Sequence, residues 1–366
     1  MRHSVRLGAF AVLAGLGTAG AVSLLAPAGS AAADASGWRP SAESDPAALQ
    51  LLRKAAGAGD ATAYAGVQYL SSWGADGGST SVVVEIRHVP GEGSTVQVRA
   101  TPGTGGIRVY EGDRSEASHA LGGQALALLE RKYDVGLAAP DSVAGRPADV
   151  VEVHRPDGSL AARLWLDAGT GLLLRREVID RRGRMTGASA FVELQVGRGL
   201  APTTGDEVRG EVSEPAPRPW DRRLQAADLA RLRDRGWAVP DKLPGGLELY
   251  DARSRDSDGE QVVHLSFSDG LSTVSLFEQK GRLDTRQLSS WRRQKIGGAR
   301  VYLRDTVPQR MVWSSRGKVY TVLADAPEET VRSAISRLPH SAPATGLLHR
   351  MGRGLFRVGS WFNPFA

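Results

Sequence analysis

The sequence predicts an α+β protein, mostly antiparallel β, built as two domains. Three observations lead there. The chain has 366 residues, more than a single domain of about 100–200 residues accommodates. Short β-rich runs recur between Gly and Pro turns, the mark of antiparallel strands, and 44 Gly with 19 Pro favour turns over a helix bundle. A Pro-, Gly- and charge-rich stretch without periodicity then separates two such regions. Hydrophobic residues at 41% and charged residues at 23% give a body able to bury real cores.

The first element in the chain is a leader. Arg2 and Arg6 precede an uncharged Ala/Gly/Leu-rich run from Leu7 to about Ala28, and Ser30-Ala31-Ala32-Ala33-Asp34 offers small residues to a signal peptidase. That order is a secretory signal, so residues 1–33 predict export to the periplasmic or extracytoplasmic envelope, with a cut near Ala31 or Ala33. The alternative is an uncleaved anchor, because the run is about long enough to span a bilayer. No other uncharged segment reaches that length.

The first domain is read over 45–198. Asp45-Pro46 opens a helix, since Asp caps well and Pro suits the first turn; Leu49, Leu52 and Ala56 give its apolar face, and Gly57 and Gly59 end it. From Tyr64 the pattern turns to strands: Val82–Val89, Val96–Ala100, Ile107–Tyr110, Val150–His154, Arg163–Asp167, Leu172–Asp180 and Phe191–Val196. Pro90-Gly91, Pro102-Gly103, Pro156-Asp157-Gly158, Gly169-Thr170-Gly171 and Arg182-Gly183 supply the turns, which predicts an antiparallel meander. One helix, about Gln124–Tyr133, interrupts it. Val82-Val83-Val84, Leu164-Trp165-Leu166 and Leu172-Leu173-Leu174 do not alternate as a sheet with one wet face should. Either both faces of those strands are covered, or the second face lines an apolar groove; Val83, Trp165 and Leu173 are the groove candidates.

Residues 199–222 form the linker, with Pro202, Gly205, Gly210, Pro215, Pro217 and Pro219. The second domain, 223–340, opens with a helix over Ala226–Arg235 that stops at Gly236-Trp237. Strands follow around Leu247–Ala252, Gln261–Ser268, Thr273–Gln279, Ala299–Asp305, Gln309–Ser314 and Lys318–Leu323. A last helix opens with Asp325, Glu328 standing where a capping box needs it; Val331, Ile335 and Leu338 make its core face and Pro339 stops it. The tail, 341–366, places Leu347, Leu348, Met351, Leu355, Val358 and Phe362 opposite Arg350, Arg353 and Arg357, with no acid from Gly346 onward. A basic amphipathic pattern suits a membrane surface or an acidic partner, although Gly346, Gly352, Gly354 and Gly359 each weaken a helix by about 1 kcal/mol; the other reading is a mobile tail.

Composition narrows the chemistry. The net charge is +6, yet the basic residues, mostly Arg, are interspersed with acids, and neither a basic stripe nor a reading helix is present, so no nucleic-acid partner is expected. The chain has no cysteine, which excludes disulfides, thiolate zinc sites, iron–sulfur clusters, cysteine nucleophiles and a lipidated-cysteine anchor. GxSxG, HExxH, Walker and GxGxxG patterns are all missing. His88, His119, His154 and His264 lack ligand spacing, and Asp256, Asp258 and Glu260 alternate in a loop without the remaining positions of a calcium site. Asp167, Glu177 and Asp180 sit among Arg163, Arg175, Arg176, Arg181 and Arg182, where cross-strand ion pairs account for them. No catalytic residue, metal or cofactor is therefore expected.

Three stretches together carry a resemblance. They are Val143-Ala-Gly-Arg-Pro-Ala-Asp-Val-Val-Glu-Val153; the Arg163-Leu-Trp-Leu-Asp167 and Thr170-Gly-Leu-Leu-Leu-Arg-Arg-Glu-Val178 hairpin closing with Phe191-Val-Glu-Leu194; and His264-Leu-Ser-Phe-Ser-Asp-Gly-Leu271 with Val274-Ser-Leu-Phe277, Gly297-Gly-Ala-Arg-Val-Tyr302 and Val319–Ala334. Over about 45–338 their order resembles the MucB/RseB family, regulators of an envelope-stress sigma factor. The hairpin alone also fits lipoprotein carriers of the LolA type; the pattern from His264 to Phe277 separates the two. The resemblance implies a LolA-like open half-barrel with covering helices, followed by a smaller β-sheet-plus-helix domain. It further implies a protein that binds the extracytoplasmic part of a single-pass membrane anti-sigma factor, shields it from proteolysis and lets go on a lipid-type signal. A lipid or lipoprotein carrier is the competing function, with a lipid or acylated ligand as partner. The basic tail is not part of the family pattern.

Overall fold

The computed structural model describes residues 44–74, 78–99, 108–112, 122–197, 200, 222–257 and 260–340. The leader, nearly all of the linker and the tail, with Arg350, Arg353, Leu355, Arg357 and Phe362, lie outside the described residues, as do His119 and the Pro102-Gly103 turn.

The first half of the chain runs α1 (Pro46–Ala61), β1 (Tyr64–Trp73), β2 (Ser79–Val89), β3 (Gly93–Arg99), β4 (Arg108–Gly112), α2 (Gly123–Lys132), β5 (Asp134–Val143), β6 (Arg146–His154), β7 (Leu160–Asp167), β8 (Leu173–Ile179) and β9 (Met185–Val196). All strand pairs are antiparallel, in the order β4-β3-β2-β1-β9-β8-β7-β6-β5. The expected single meander is thus two meanders, β1–β4 and β5–β9, joined by β1 against β9. The reason is the long passage through α2, which carries the chain from one edge to the other before β5 begins. Edge strands β4 and β5 do not pair with each other, so the sheet is open rather than a closed barrel.

Asp45 caps α1 as expected, its Oδ1 accepting from the Ala47 N–H at 2.8 Å. The helix does not stop at Gly57 or Gly59 but continues to Ala61. Glycine inside a helix costs about 1 kcal/mol each; burying Leu52, Ala55, Ala58 and Gly59 against the sheet offsets it. Strand β5 was not foreseen because Gly136 and Pro140 read as breakers. It is an edge strand with a bulge between Ala138 and Asp141, the setting in which a strand tolerates proline.

Helices α1 and α2 cover one face: Ala48, Leu52, Leu126 and Leu129 form one cluster with Val151, Val153, Ala162, Leu164 and Leu166. A second cluster gathers Tyr64, Val82, Val84, Ile86, Val150, Trp165, Leu174 and Phe191. The run Leu164-Trp165-Leu166 is therefore buried on both faces.

The second half runs β10 (Arg222–Arg223), α3 (Ala226–Asp234), β11 (Lys242–Leu243), β12 (Leu247–Ser257), β13 (Glu260–Ser268), β14 (Thr273–Lys280), β15 (Arg292–Ile296), β16 (Ala299–Arg304), β17 (Gln309–Ser315), β18 (Lys318–Asp325) and α4 (Glu328–Ser336). Its sheet has the order β10-β12-β13-β14-β18-β17-β16-β15, with β11 paired to β12. Val331 and Ile335 of α4, Leu232 of α3 and Trp237 pack on Leu265, Phe267, Leu276, Val301, Trp313 and Val322. Trp313 donates its indole N–H to the Pro339 carbonyl at 3.0 Å, the partner a buried indole requires.

Three expectations are corrected here. Asp325 does not open the last helix: it is the final residue of β18, paired with Thr273, and α4 starts at Glu328 with Pro327 at its cap and no side-chain cap. Asp256 and Glu260 are not in a loop; they stand in the β12–β13 hairpin, paired with Gln261 and Ser257. Strand β15, Arg-Arg-Gln-Lys-Ile, is too charged to read as a strand in isolation, and it is an edge strand, where charge guards against further pairing.

Candidate partner-binding face and the seam between the sheets

The register of the first sheet lines up one cross-strand row: Val150, Trp165, Arg175, Ala190, Tyr69 and Val83. Two groove candidates, Val83 and Trp165, share this row although 82 residue positions separate them in sequence. Leu173, the third, pairs with Leu166 and packs on the helix-side cluster. The row is closed at one end and more open at the other: Trp165 is 6% exposed, whereas Val83 and Tyr69 are half-buried. The indole N–H of Trp165 donates to Asp141 Oδ2 at 2.9 Å, and the Arg175 guanidinium lies 4.6 Å over its ring. The Ser142 backbone N–H, and then this indole, hold the Asp141 carboxyl below its usual range.

A parallel row carries charge: Glu152, Arg163, Glu177, Ala188, Ser71 and Ser81. Arg163 pairs with Glu152 at 2.8 Å, and Arg175 reaches Glu177. His154 beside Glu152, followed by Arg163, pulls the Glu152 carboxyl down to about 2 against the opposing effect of burial. Asp167 binds Arg146 through two hydrogen bonds, 2.7 and 3.0 Å, and accepts from Thr170, closing the Gly169–Gly171 turn. Asp180 pairs with Arg184. The three carboxylates singled out in sequence are ion-paired, but not all across strands as expected: Glu177 takes Arg175 of its own strand, and Asp167 and Asp180 use Arg146 and Arg184, which linear proximity did not suggest.

One arginine of the hairpin does something else. Arg176, almost buried, donates to Asp325 Oδ2 at 2.8 Å and to the Leu271 carbonyl, tying β8 to the second sheet. Around it the end of α2 is clamped to the same sheet. Tyr133 donates to Asp269 at 2.9 Å, and burial followed by Asp269 pushes its phenol upward. Arg131 and Lys132 reach Glu248, and Lys132 also reaches the Gly246 carbonyl. Gly270, at φ +101°, lies so close that a Cβ there would stand 2.4 Å from the Leu129 backbone nitrogen. Leu271 joins the helix-side cluster of the first sheet, and Val307 packs on the other cluster. The motif Ser268-Asp269-Gly270-Leu271 is thus the seam between the two sheets. Asp269 also accepts from the Leu271 and Ser272 N–H groups, which stiffens the turn. Arg176, Tyr133 and Gly270 were missed because nothing local marks a residue whose partner lies about 95 positions or more away.

Residues 95–213 match the model of the MucB/RseB N-terminal domain. The chain is similar to the MucB/RseB regulators. The sigma-E factor regulatory protein RseB of Haemophilus influenzae is 29% identical over 150 residues, 41% of this chain and 45% of RseB. The sigma factor AlgU regulatory protein MucB of Pseudomonas aeruginosa is 27% identical over 219 residues, 57% of this chain and 62% of MucB. The matches thus span roughly half to three-fifths of these relatives' own lengths. The MucA/MucB complex of Pseudomonas aeruginosa matches with a TM-score of 0.46 at 20% identity, covering 81% of this chain and 100% of that one. In MucB/RseB terms, the stretch matched to the N-terminal domain model takes in β3 to β9, and so Trp165, Arg175 and Arg176.

Proposed function

We propose that this protein is an extracytoplasmic regulator that binds the extracytoplasmic segment of a membrane anti-sigma factor, protects it from proteolysis and releases it on a lipid-type signal. The observation that carries the reading is the match of residues 95–213 to the MucB/RseB N-terminal domain, together with two relatives that are both named sigma factor regulatory proteins. MucB has been solved in complex with MucA, an instance of a relative holding a partner. In this reading the protein acts by binding rather than by catalysis, residues 45–198 and 223–340 are its two domains, and the leader places it outside the cytoplasmic membrane.

The geometry favours binding a segment over carrying a lipid. The apolar surface around Leu164–Leu166 is taken up by the protein's own core, which leaves little for an acyl chain. The row from Trp165 to Val83 instead offers half-buried apolar groups beside an ion-pair lattice, a mixed surface suited to an extended polypeptide.

Calorimetric titration of residues 34–366 with the extracytoplasmic segment of the anti-sigma factor encoded nearest its gene tests this. Saturable binding of about −8 kcal/mol, a micromolar constant or tighter, supports it, and Val83→Asp is expected to weaken that binding at least tenfold. Absence of binding, with lipid retained by the protein in native mass spectrometry, would replace it with the carrier.

A further inference from the structure

The strands of the second sheet meet the first sheet at one end, where Asp305, Val307 and Asp325 lie. Their opposite end is closed by the β15–β16 turn at Gly297-Gly298, the β17–β18 turn at Arg316-Gly317 and the C-terminal end of α4. The three converge: a Cβ on Gly297 would stand 2.3 Å from the His340 ring. Between them is a cleft of about 530 Å³ lined by Gly297, Arg316, Arg337, Leu338, Pro339 and His340. Among the described residues, no carboxylate lines it. Just outside, Lys295 and Arg300 face each other in register across the β15–β16 hairpin, and both are exposed.

The acids nearest the cleft are either paired or set apart from it across the sheet. Glu328 and Glu329 occupy the first turn of α4, away from Arg337, and Glu328 is engaged by Arg332. Asp305 pairs with Arg292 at the seam end. The β12–β13 hairpin that carries Asp256 and Glu260 opens at this same end but is separated from the β15–β16 hairpin by β14, β18 and β17, and Asp284, just past β14, is engaged by Arg286. Among the described residues, no ion pair joins Lys295, Arg300 or Arg337 to a carboxylate. The chain continues from His340, at the lip of the cleft, into 341–366, a stretch with Arg350, Arg353 and Arg357 and no Asp or Glu.

We infer that this end of the second sheet is a docking surface for the headgroup phosphates of an anionic phospholipid bilayer. Guanidinium groups match phosphate oxygens with paired donors, and each cation held near an anionic leaflet adds about fivefold in affinity. Arg316 on a turn, Arg337 at a helix end, and Lys295 and Arg300 on paired strands present that charge from an ordered backbone. The seam lies at the other end of the second sheet and the Trp165 row belongs to the first sheet, so docking leaves them free. The inference does not rest on the anti-sigma reading.

The test is co-sedimentation of residues 34–366 with vesicles of phosphatidylglycerol and phosphatidylcholine, against vesicles of phosphatidylcholine alone. Binding only to the anionic vesicles, falling steeply with salt, is expected. Arg316→Glu with Arg337→Glu should lower it at least tenfold, as should Lys295→Glu with Arg300→Glu, whose exposed positions leave folding intact if the first pair does not. Replacing Arg350, Arg353 and Arg357 by Gln should leave residual salt-sensitive binding that the charge reversals then remove. Equal binding to neutral vesicles, or full binding by the folded Lys295→Glu/Arg300→Glu variant, overturns the inference.

Discussion

The two sheets handle charge in opposite ways. In the first, the Glu152 and Glu177 carboxylates are buried, 3% and 7% exposed, but the Arg163 and Arg175 side chains that pair with them reach water at 38% and 26%. In the second, Glu278 and Lys318 form a sealed pair, 0% and 10% exposed, at 2.7 Å. Glu278 also accepts from the Ala238 N–H and the Tyr320 hydroxyl, while Lys318 donates to the Gly236 carbonyl and lies 4.4 Å over the Trp237 ring. An exposed pair contributes little to stability because water and salt screen it. A buried pair is costly to break by half, because the remaining charge has nowhere to go. Changes at the sealed Glu278–Lys318 pair should therefore report chiefly on folding, and changes at the half-exposed arginines of the first sheet more on binding.

The largest effect should come from cutting the sealed pair. Glu278→Gln is expected to lower stability by about 3–5 kcal/mol, read from the denaturant midpoint, and Glu278→Leu combined with Lys318→Met to recover most of it. A loss under 1 kcal/mol for the single change would mean that water reaches the pair, and the contrast would fall.

Acid should then separate the sheets. Burial drives the His264 pKa down to about 3 from 6.5, with Asp251 and Arg253 as its opposing charged neighbours, and the ring stacks on Phe277 at 4.3 Å. Between those two values the unfolded chain binds a proton that the folded one refuses. The stabilisation is complete above about 6.5 and drains away as pH falls towards 3. Glu152, with its folded pKa near 2 against 4.5, loses its contribution only below about 4.5. Stability measured against pH should start to fall near 6.5, and His264→Phe should flatten that upper part of the curve. An unchanged slope would show that another group titrates there.

Gly270→Ala comes next. The left-handed backbone and the contact with Leu129 predict a cost of about 1–3 kcal/mol, concentrated as faster hydrogen exchange at the end of α2. Uniform loss of protection across both sheets would show that Gly270 serves the turn alone and not the seam. The smallest change in stability is expected for Arg163→Gln, because its guanidinium reaches water and His154 still faces the buried Glu152, although the same variant should alter partner affinity at low salt. A large loss of stability would place Arg163 with the sealed pair rather than with the half-exposed arginines.

Most strands were legible because each is a run of β-branched and apolar residues between strong turn formers, and those signals are local. The central strand β1 was missed because Gly66, Gln68, Ser71 and Ser72 break its apolar run, whereas two other misses share a cause. Strands β5 and β15 are edge strands, and their composition, Pro and Gly in one and four successive polar residues in the other, records the management of an exposed edge rather than the packing of a core. At the candidate site the sequence supplied Val83, Trp165 and Leu173 as apolar residues on strands without alternation. Only the register showed that the first two share a row and the third lies beneath the helices, since bulges such as the one between Trp165 and Leu166 shift which residues face together.

By itself the sequence determined the class of structure, most of its strands, the helix cap at Asp45 and the apolar faces of α1 and α4, because all of these depend on neighbours within a few residues. Tertiary structure decided that β1 pairs with β9, that Asp325 answers Arg176 instead of capping a helix, and that Ser268–Leu271 is a joint rather than a turn. Each of those outcomes depends on groups far apart in the chain, and their free energy exists only after burial has removed the water that would otherwise satisfy them.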